Sequence, residues 1–265
     1  MIIYLHTVTV QGDLSKILQI INKKIEEKKI IFKKNKIKDW WSQINKWRSK
    51  DSLKFKNSDK IIKPQHALKR LDFLTKKYNP YITTEVGQHQ MWAAQFLTFN
   101  KPKHWMTSGG LGTMGYGLPA AMGVQIAHPN SLVIDVAGEA SILMNIQEMS
   151  TIKQFRLPVK VFIINNHYMG MVRQWQELLH GNRLSESYMD SLPDFVKLAE
   201  SFGATGLRTE KPSEIDDLIK EMIKIAGKNI SIIIAGSVTK DNIVSLHKLI
   251  KGEEYHGRQI VDLLQ

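Results

Sequence analysis

Glu139 and Asn166 are the residues whose types and setting most suggest chemistry. An apolar run over residues 132–136 ends at Gly138-Glu139-Ala140, and a second, over residues 159–164, ends at Asn165-Asn166. Two consecutive parallel strands would then carry a carboxylate and an amide at their C-terminal ends, the edge where open α/β sheets bind ligands. Both groups offer hard oxygen donors. A divalent ion such as Mg2+ takes an octahedron of such oxygens, one or two from side chains and the rest from phosphate, carbonyl or water, so the pair suits an ion seated on a diphosphate. A helix beginning near Ser141 would aim its unpaired N–H groups at the same phosphates. Gly-Glu-Ala after a strand is, by itself, most often a turn into a helix. The paired asparagines and the glycine-dense loop over residues 109–117 turn the reading towards a site.

The surrounding words resemble the metal and diphosphate signature of thiamine diphosphate enzymes, and they narrow to the catalytic-subunit family of acetolactate (acetohydroxyacid) synthase. The resemblance is carried by Thr84-Glu85-Val86-Gly87-Gln88-His89-Gln90-Met91-Trp92, by Thr107-Ser108-Gly109-Gly110-Leu111-Gly112-Thr113-Met114-Gly115-Tyr116-Gly117, by the Glu139 segment through Gln147-Glu148, and by Asn165-Asn166 through Gly170-Met171-Val172-Arg173-Gln174-Trp175. It extends from about residue 40 to residue 202 and covers only the last third of such a subunit.

The resemblance implies that Glu139, the Asn166 side chain and the Tyr168 carbonyl ligate Mg2+. It implies that Gln88 and His89 reach the diphosphate with the N–H groups of Ala140 and Ser141, in a pocket completed by Val86, Gly87 and Gly138. Gly112 and Met114 would hold the aminopyrimidine through backbone groups, the Met114 side chain propping the cofactor in a bent shape. Met171 and Trp175 would line a substrate channel. Taken singly, His89 could be a helix cap, Met114 core filler and Trp175 buried packing. Glu139 departs from the aspartate usual in the family, and the extra methylene has to be absorbed by the small Ala140 beside it. The family's activating glutamate belongs to an N-terminal domain, so no catalytic residue is assigned in this chain.

The activity implied is decarboxylation of pyruvate and transfer of the two-carbon unit to pyruvate or 2-oxobutyrate, a step of branched-chain amino acid biosynthesis. The chain alone is expected to be inactive. Its expected partners are a missing N-terminal half or a homologous subunit within a homo-oligomer, and the family allows a regulatory subunit. Two alternatives stay open: a non-enzymatic remnant or association module, and another thiamine diphosphate carboligase.

Composition sets the bounds. With 265 residues and 43% hydrophobic content, the chain can bury the core of one full α/β domain and a small appendage. The lack of cysteine fits a reducing cytoplasm. No apolar run reaches the roughly 20 residues of a spanning helix, so no membrane association is expected. The formal charge of +12 raises the question of nucleic acid. Much of the excess is lysine between Lys23 and Lys60, without a nucleic-acid motif, and Lys24, Lys28, Lys29, Lys33 and Lys34 read as a solvated helix face and linker. Trp40 and Trp47, spaced i and i+7, are expected on one helix face.

The elements that must position the candidate site follow from hydrophobic periodicity. Residues 1–29 read as one strand (residues 7–10) and one helix, a remnant of a preceding domain. Residues 30–62 read as a lysine-rich linker with a short helix over residues 39–48. Residues 63–242 read as the cofactor-binding domain: a helix opened by Pro64, a strand at 81–85, the glycine loop, a helix to about Ala127, then βα alternation with a last helix over 213–225 and a last strand over 230–235. This order predicts an α/β fold, a doubly wound parallel sheet. Residues 243–265 diverge from the family and are read as a tail.

Overall fold

The computed structural model describes residues 10–29, 37–51, 53–225 and 231–235, which fall into two units divided between Ser52 and Leu53. All but the last residue of the predicted strand at 7–10, and the divergent tail over 243–265, lie outside the described residues, as do Lys33 and Lys34.

The first unit holds α1 (Leu14–Glu27) and α2 (Lys38–Ser49). Asp13 caps α1 by accepting the Lys16 N–H at 2.9 Å, satisfying one of the donors a helix start leaves open. Trp40 and Trp47 meet edge to face on α2, ring centroids 5.5 Å apart, as their spacing predicts.

The second unit is a six-stranded parallel sheet in the order β2-β1-β3-β4-β6-β5. Its strands are β1 (Tyr81–Thr84), β2 (Trp105–Thr107), β3 (Val133–Gly138), β4 (Lys160–Ile164), β5 (Thr205–Thr209) and β6 (Ser231–Ala235). The helices are α3 (Pro64–Thr75), α4 (Gln88–Phe96), α5 (Gly117–Ala127), α6 (Glu139–Ile142), α7 (Glu148–Gln154), α8 (Gly170–Leu179), α9 (Phe195–Ser201) and α10 (Ile215–Lys224). Every residue of β3 and β4 is buried, which is why both read as continuous apolar runs. Successive side chains point to opposite faces. Ile134, Val136, Phe162 and Ile164 pack with residues of α3, α4 and α10, whereas Val133, Ala137, Val161 and Ile163 pack with residues of α5, α7 and α9. The sheet is therefore doubly wound, as predicted.

The structure revises three details of that reading. Residues 53–62, counted with the linker, belong with the sheet unit: Ile62 is fully buried, and Phe55 packs edge-on against Phe96 at 5.7 Å. The edge strands β2 and β5 were not expected. The helix foreseen near Ser141 is a single turn, Glu139–Ile142, followed by a 3-10 turn at Leu143–Asn145.

Candidate functional site

Chain order reverses between β1 and β3. From β1 the chain passes through α4 to β2 on one side, then returns through α5 to β3 on the other. Such a switch point leaves a crevice at the C-terminal strand ends. Here the crevice is a cavity of about 240 Å3. Val86, Gly87, Gln88 and His89 enter its wall after β1, Gly112 and Met114 come from the loop before α5, and Gly138, Glu139, Ala140 and Ser141 lie at the end of β3. Asn166, Tyr168 and Met171 close the wall beyond β4. The register explains the convergence, because Gly138 pairs with Ile164 and Thr84 with Val136, bringing the three strands to an end near one level.

Trp175 is the exception. It lies one turn beyond Met171 on α8, does not line this cavity and is 46% exposed, which excludes buried packing and leaves a channel role resting on the resemblance.

Glu139 is the electrostatic centre of the wall. It is only 2% exposed, and burial pushes its pKa up to about 7 against the opposing pull of nearby N–H donors. Its Oε1 accepts the N–H of Asn166 at 3.1 Å and of Tyr168 at 2.9 Å, while Asn166 Oδ1 accepts the same Tyr168 N–H at 3.0 Å. The segment after β4 thus folds around the carboxylate and sets the Asn166 amide oxygen beside it. His167, at φ 60°, makes the sharp bend this requires. The segment is held from outside by Met169 N–H donating to Ser187 at 2.9 Å and Met189 N–H donating to His167 at 2.8 Å. Arg173 lies over the Tyr168 ring, 4.1 Å from its centroid.

The rest of the lining is suited to an anion. Both α4 and α8 start at the cavity, and neither has a side-chain cap, so their first N–H groups point towards it without local acceptors. His89 is buried in neutral form: desolvation pushes its pKa down to about 4, with the Glu85 carbonyl pulling the other way as its acceptor. Its Nε2 has no hydrogen-bond partner among the described residues. Gln88 Nε2 donates to Gln174 Oε1 at 2.9 Å, tying α4 to α8, and Ser141 Oγ donates to the Val86 carbonyl at 2.8 Å.

These residues fit an ion bound together with a diphosphate. Among the described residues no three His, Cys, Asp or Glu side chains gather as a metal cage. A hard cation at Glu139 and the Asn166 amide would need further oxygens from its ligand, the way Mg2+ is commonly held on phosphates. The unpaired Nε2 of His89 and the two open helix starts are the matching polar groups.

Several wall residues went unread in the sequence: Trp92, Ile164, Met169, Gly170 and Val172. Trp92 had a signal, since it stands four residues after Gln88 on one helix and must share its face. Gln174, behind the wall, stands four residues after Gly170 for the same reason.

Comparison with known proteins agrees with this geometry. Residues 85–235 match the family described as thiamine pyrophosphate enzyme, C-terminal TPP binding domain. The chain is 47% identical over 192 residues to the acetolactate synthase large subunit of Haemophilus influenzae, an overlap of 72% of this chain and 33% of the relative. It is 44% identical over 222 residues to the acetolactate synthase isozyme 3 large subunit of Escherichia coli, covering 84% of this chain and 38% of that protein. With a large subunit from Buchnera aphidicola (subsp. Schizaphis graminum) it shares 46% identity over 224 residues, again 84% and 38%. The chain thus spans little more than a third of the length of the curated relatives it matches. Sheet, switch-point cavity and sequence all place it in one family: the chain belongs to the thiamine pyrophosphate enzymes through their C-terminal TPP-binding domain, and the relatives it matches over about a third of their length are acetolactate synthase large subunits.

Proposed function

We propose that this chain is the cofactor-holding part of an acetolactate synthase that takes pyruvate as donor and pyruvate or 2-oxobutyrate as acceptor. The observation that carries the reading is one switch-point cavity whose lining gathers Glu139, Asn166 and Tyr168 together with Gln88, His89, Ala140 and Ser141. When bound, thiamine diphosphate supplies the electron sink for decarboxylation of a 2-oxo acid. The chain's own residues do the holding. Glu139 and the Asn166 amide would ligate Mg2+ with the Tyr168 carbonyl. The backbone of Ala140 and Ser141 and the side chains of Gln88 and His89 would bind the diphosphate. Gly112 and Met114 would position the aminopyrimidine, and Ile164, Trp92 and Met171 keep the wall apolar and poor in water.

Among the described wall residues only Glu139 and His89 are acids or bases of the carboxylate and imidazole kind, and both are spent on binding. The proton transfer that activates the cofactor must then come from a group outside this cavity wall, and the resemblance assigns it to a glutamate on an N-terminal domain of a partner segment or subunit. The expected outcome is that purified chain forms no detectable acetolactate with pyruvate, thiamine diphosphate and Mg2+. Supplying the remaining domains of the Escherichia coli relative in trans restores measurable turnover. Turnover by the chain alone contradicts the assignment of the activating group elsewhere, and failure of complementation by folded components favours a non-enzymatic association role.

A further inference from the structure

The loop that carries Gly112 and Met114 is fixed from behind by two side chains that do not touch the cavity. Glu85, fully buried at the end of β1, accepts the Gly115 N–H on Oε2 at 2.6 Å and the Leu118 N–H on Oε1 at 3.0 Å. On the other side of the same residue, Asn145 Nδ2 donates to the Gly115 carbonyl at 2.7 Å. The Gly115 backbone is therefore held at both its donor and its acceptor. Gly115 has φ +87°, and a Cβ there would come within 2.7 Å of Asn145 Nδ2 and 2.9 Å of Met144 Cβ, so the grip has no room for any other residue. Ser108 Oγ accepts the Thr113 N–H at 3.0 Å and completes the restraint upstream.

Neither carboxylate nor amide is explained by burial alone. A carboxylate without solvent exposure is costly unless N–H donors compensate it, and here the donors come from the start of α5 and the loop before it. Asn145 is drawn from the 3-10 turn after α6, so β1, α5 and the α6 turn converge on one peptide. That peptide lies one residue beyond Met114, which lines the cavity.

We infer that Glu85 and Asn145 form a two-sided clamp on Gly115 and act as positioning residues for the loop end of the cavity, separately from its diphosphate end. The inference rests on the thiamine diphosphate reading above. Its consequence is selective: loosening the clamp weakens a ligand that reaches the Gly112–Met114 loop but spares one that occupies only the diphosphate end at Gln88, His89, Ala140 and Ser141.

The test uses the full 265-residue chain and calorimetry with two probes, thiamine diphosphate and inorganic pyrophosphate, each with Mg2+. Asn145→Ala, at a half-buried position, should weaken thiamine diphosphate about tenfold, the size of one lost hydrogen bond, and leave pyrophosphate unchanged. Glu85→Gln should act in the same direction and more strongly; if it does not fold, Asn145→Ala decides alone. Equal weakening of both probes, or no weakening of thiamine diphosphate, overturns the clamp. A wild-type chain that binds pyrophosphate but not thiamine diphosphate also overturns it, whereas binding of neither probe removes the cofactor reading on which it stands.

Discussion

Asp135 shows at the level of one residue how much this fold spends on polar groups behind its site. It lies fully buried in the middle of β3, where Thr83 Oγ donates to its Oδ1 at 2.9 Å and its Oδ2 has no partner among the described residues. Burial first, and then the charge of neighbouring Glu85, hold its pKa well above the usual aspartate value, so the folded chain keeps a proton that the unfolded chain has lost. In that window the native state binds more protons than the unfolded state, and stability falls as pH rises, by up to about 1.4 kcal/mol per pH unit. Glu85, whose pKa burial also raises, contributes with the same sign. Asp135→Asn keeps an acceptor for Thr83 and abolishes the titration. Its melting temperature should exceed that of wild type at pH 7–8, with the advantage vanishing near pH 4; an equal or lower melting temperature at pH 8 would show that the carboxyl is not the group opposing the fold. The aspartate was present in the sequence but hidden, because one acid inside an apolar run does not reveal whether its strand is buried on both faces.

At the scale of elements, α5 is the piece whose placement the site most depends on, and its start has no slack. A Cβ at Gly117 would strike Asp135 Oδ1 and come within 2.7 Å of the Glu85 nitrogen and 2.8 Å of the Thr84 carbonyl carbon, so the helix can approach the β1–β3 crevice only with glycine there. Gly117→Ala should lower stability by about 1–3 kcal/mol, as overpacking of rigid neighbours does, measurable by urea denaturation followed by circular dichroism. An unchanged midpoint would mean that the helix start can withdraw freely from the crevice. The sequence made α3, α5 and the central strands legible because their apolar spacing is dense and their neighbours, Pro64 and the 109–117 glycines, punctuate them. It hid β2 and β5 for a physical reason. Both are edge strands and largely only half-buried, β2 is three residues long, and Thr205–Thr209 has neither an alternating nor a continuous apolar pattern. The single turn α6 was likewise too short to carry a period, and the clamp residue Asn145 ends the 3-10 turn that follows it.

For the whole molecule, the cavity exists only when the ends of β1, β3 and β4 and the starts of α4 and α8 come together, so ligand binding reports on the assembled domain. No helix among the described residues is long and apolar enough to cross a membrane. Much of the candidate wall was legible from family words in the sequence, since those words sit at the strand ends that border the crevice, whereas Trp92, Ile164, Met169, Gly170 and Val172 were not picked out. Trp175 lies beyond the cavity lining, because helical spacing puts it on the Met171 face without saying how far the wall extends. The central claim is that this domain holds a divalent ion and a diphosphate at Glu139, and the most direct measurement is calorimetric binding of thiamine diphosphate with and without Mg2+ to three forms of the chain. An uncharged amide is a poor ligand for a hard cation, whereas aspartate keeps the charge. The account predicts Mg2+-dependent binding by wild type, strong loss in Glu139→Gln, and retention in Glu139→Asp. Equal binding by wild type and Glu139→Gln, or binding indifferent to Mg2+, would contradict it.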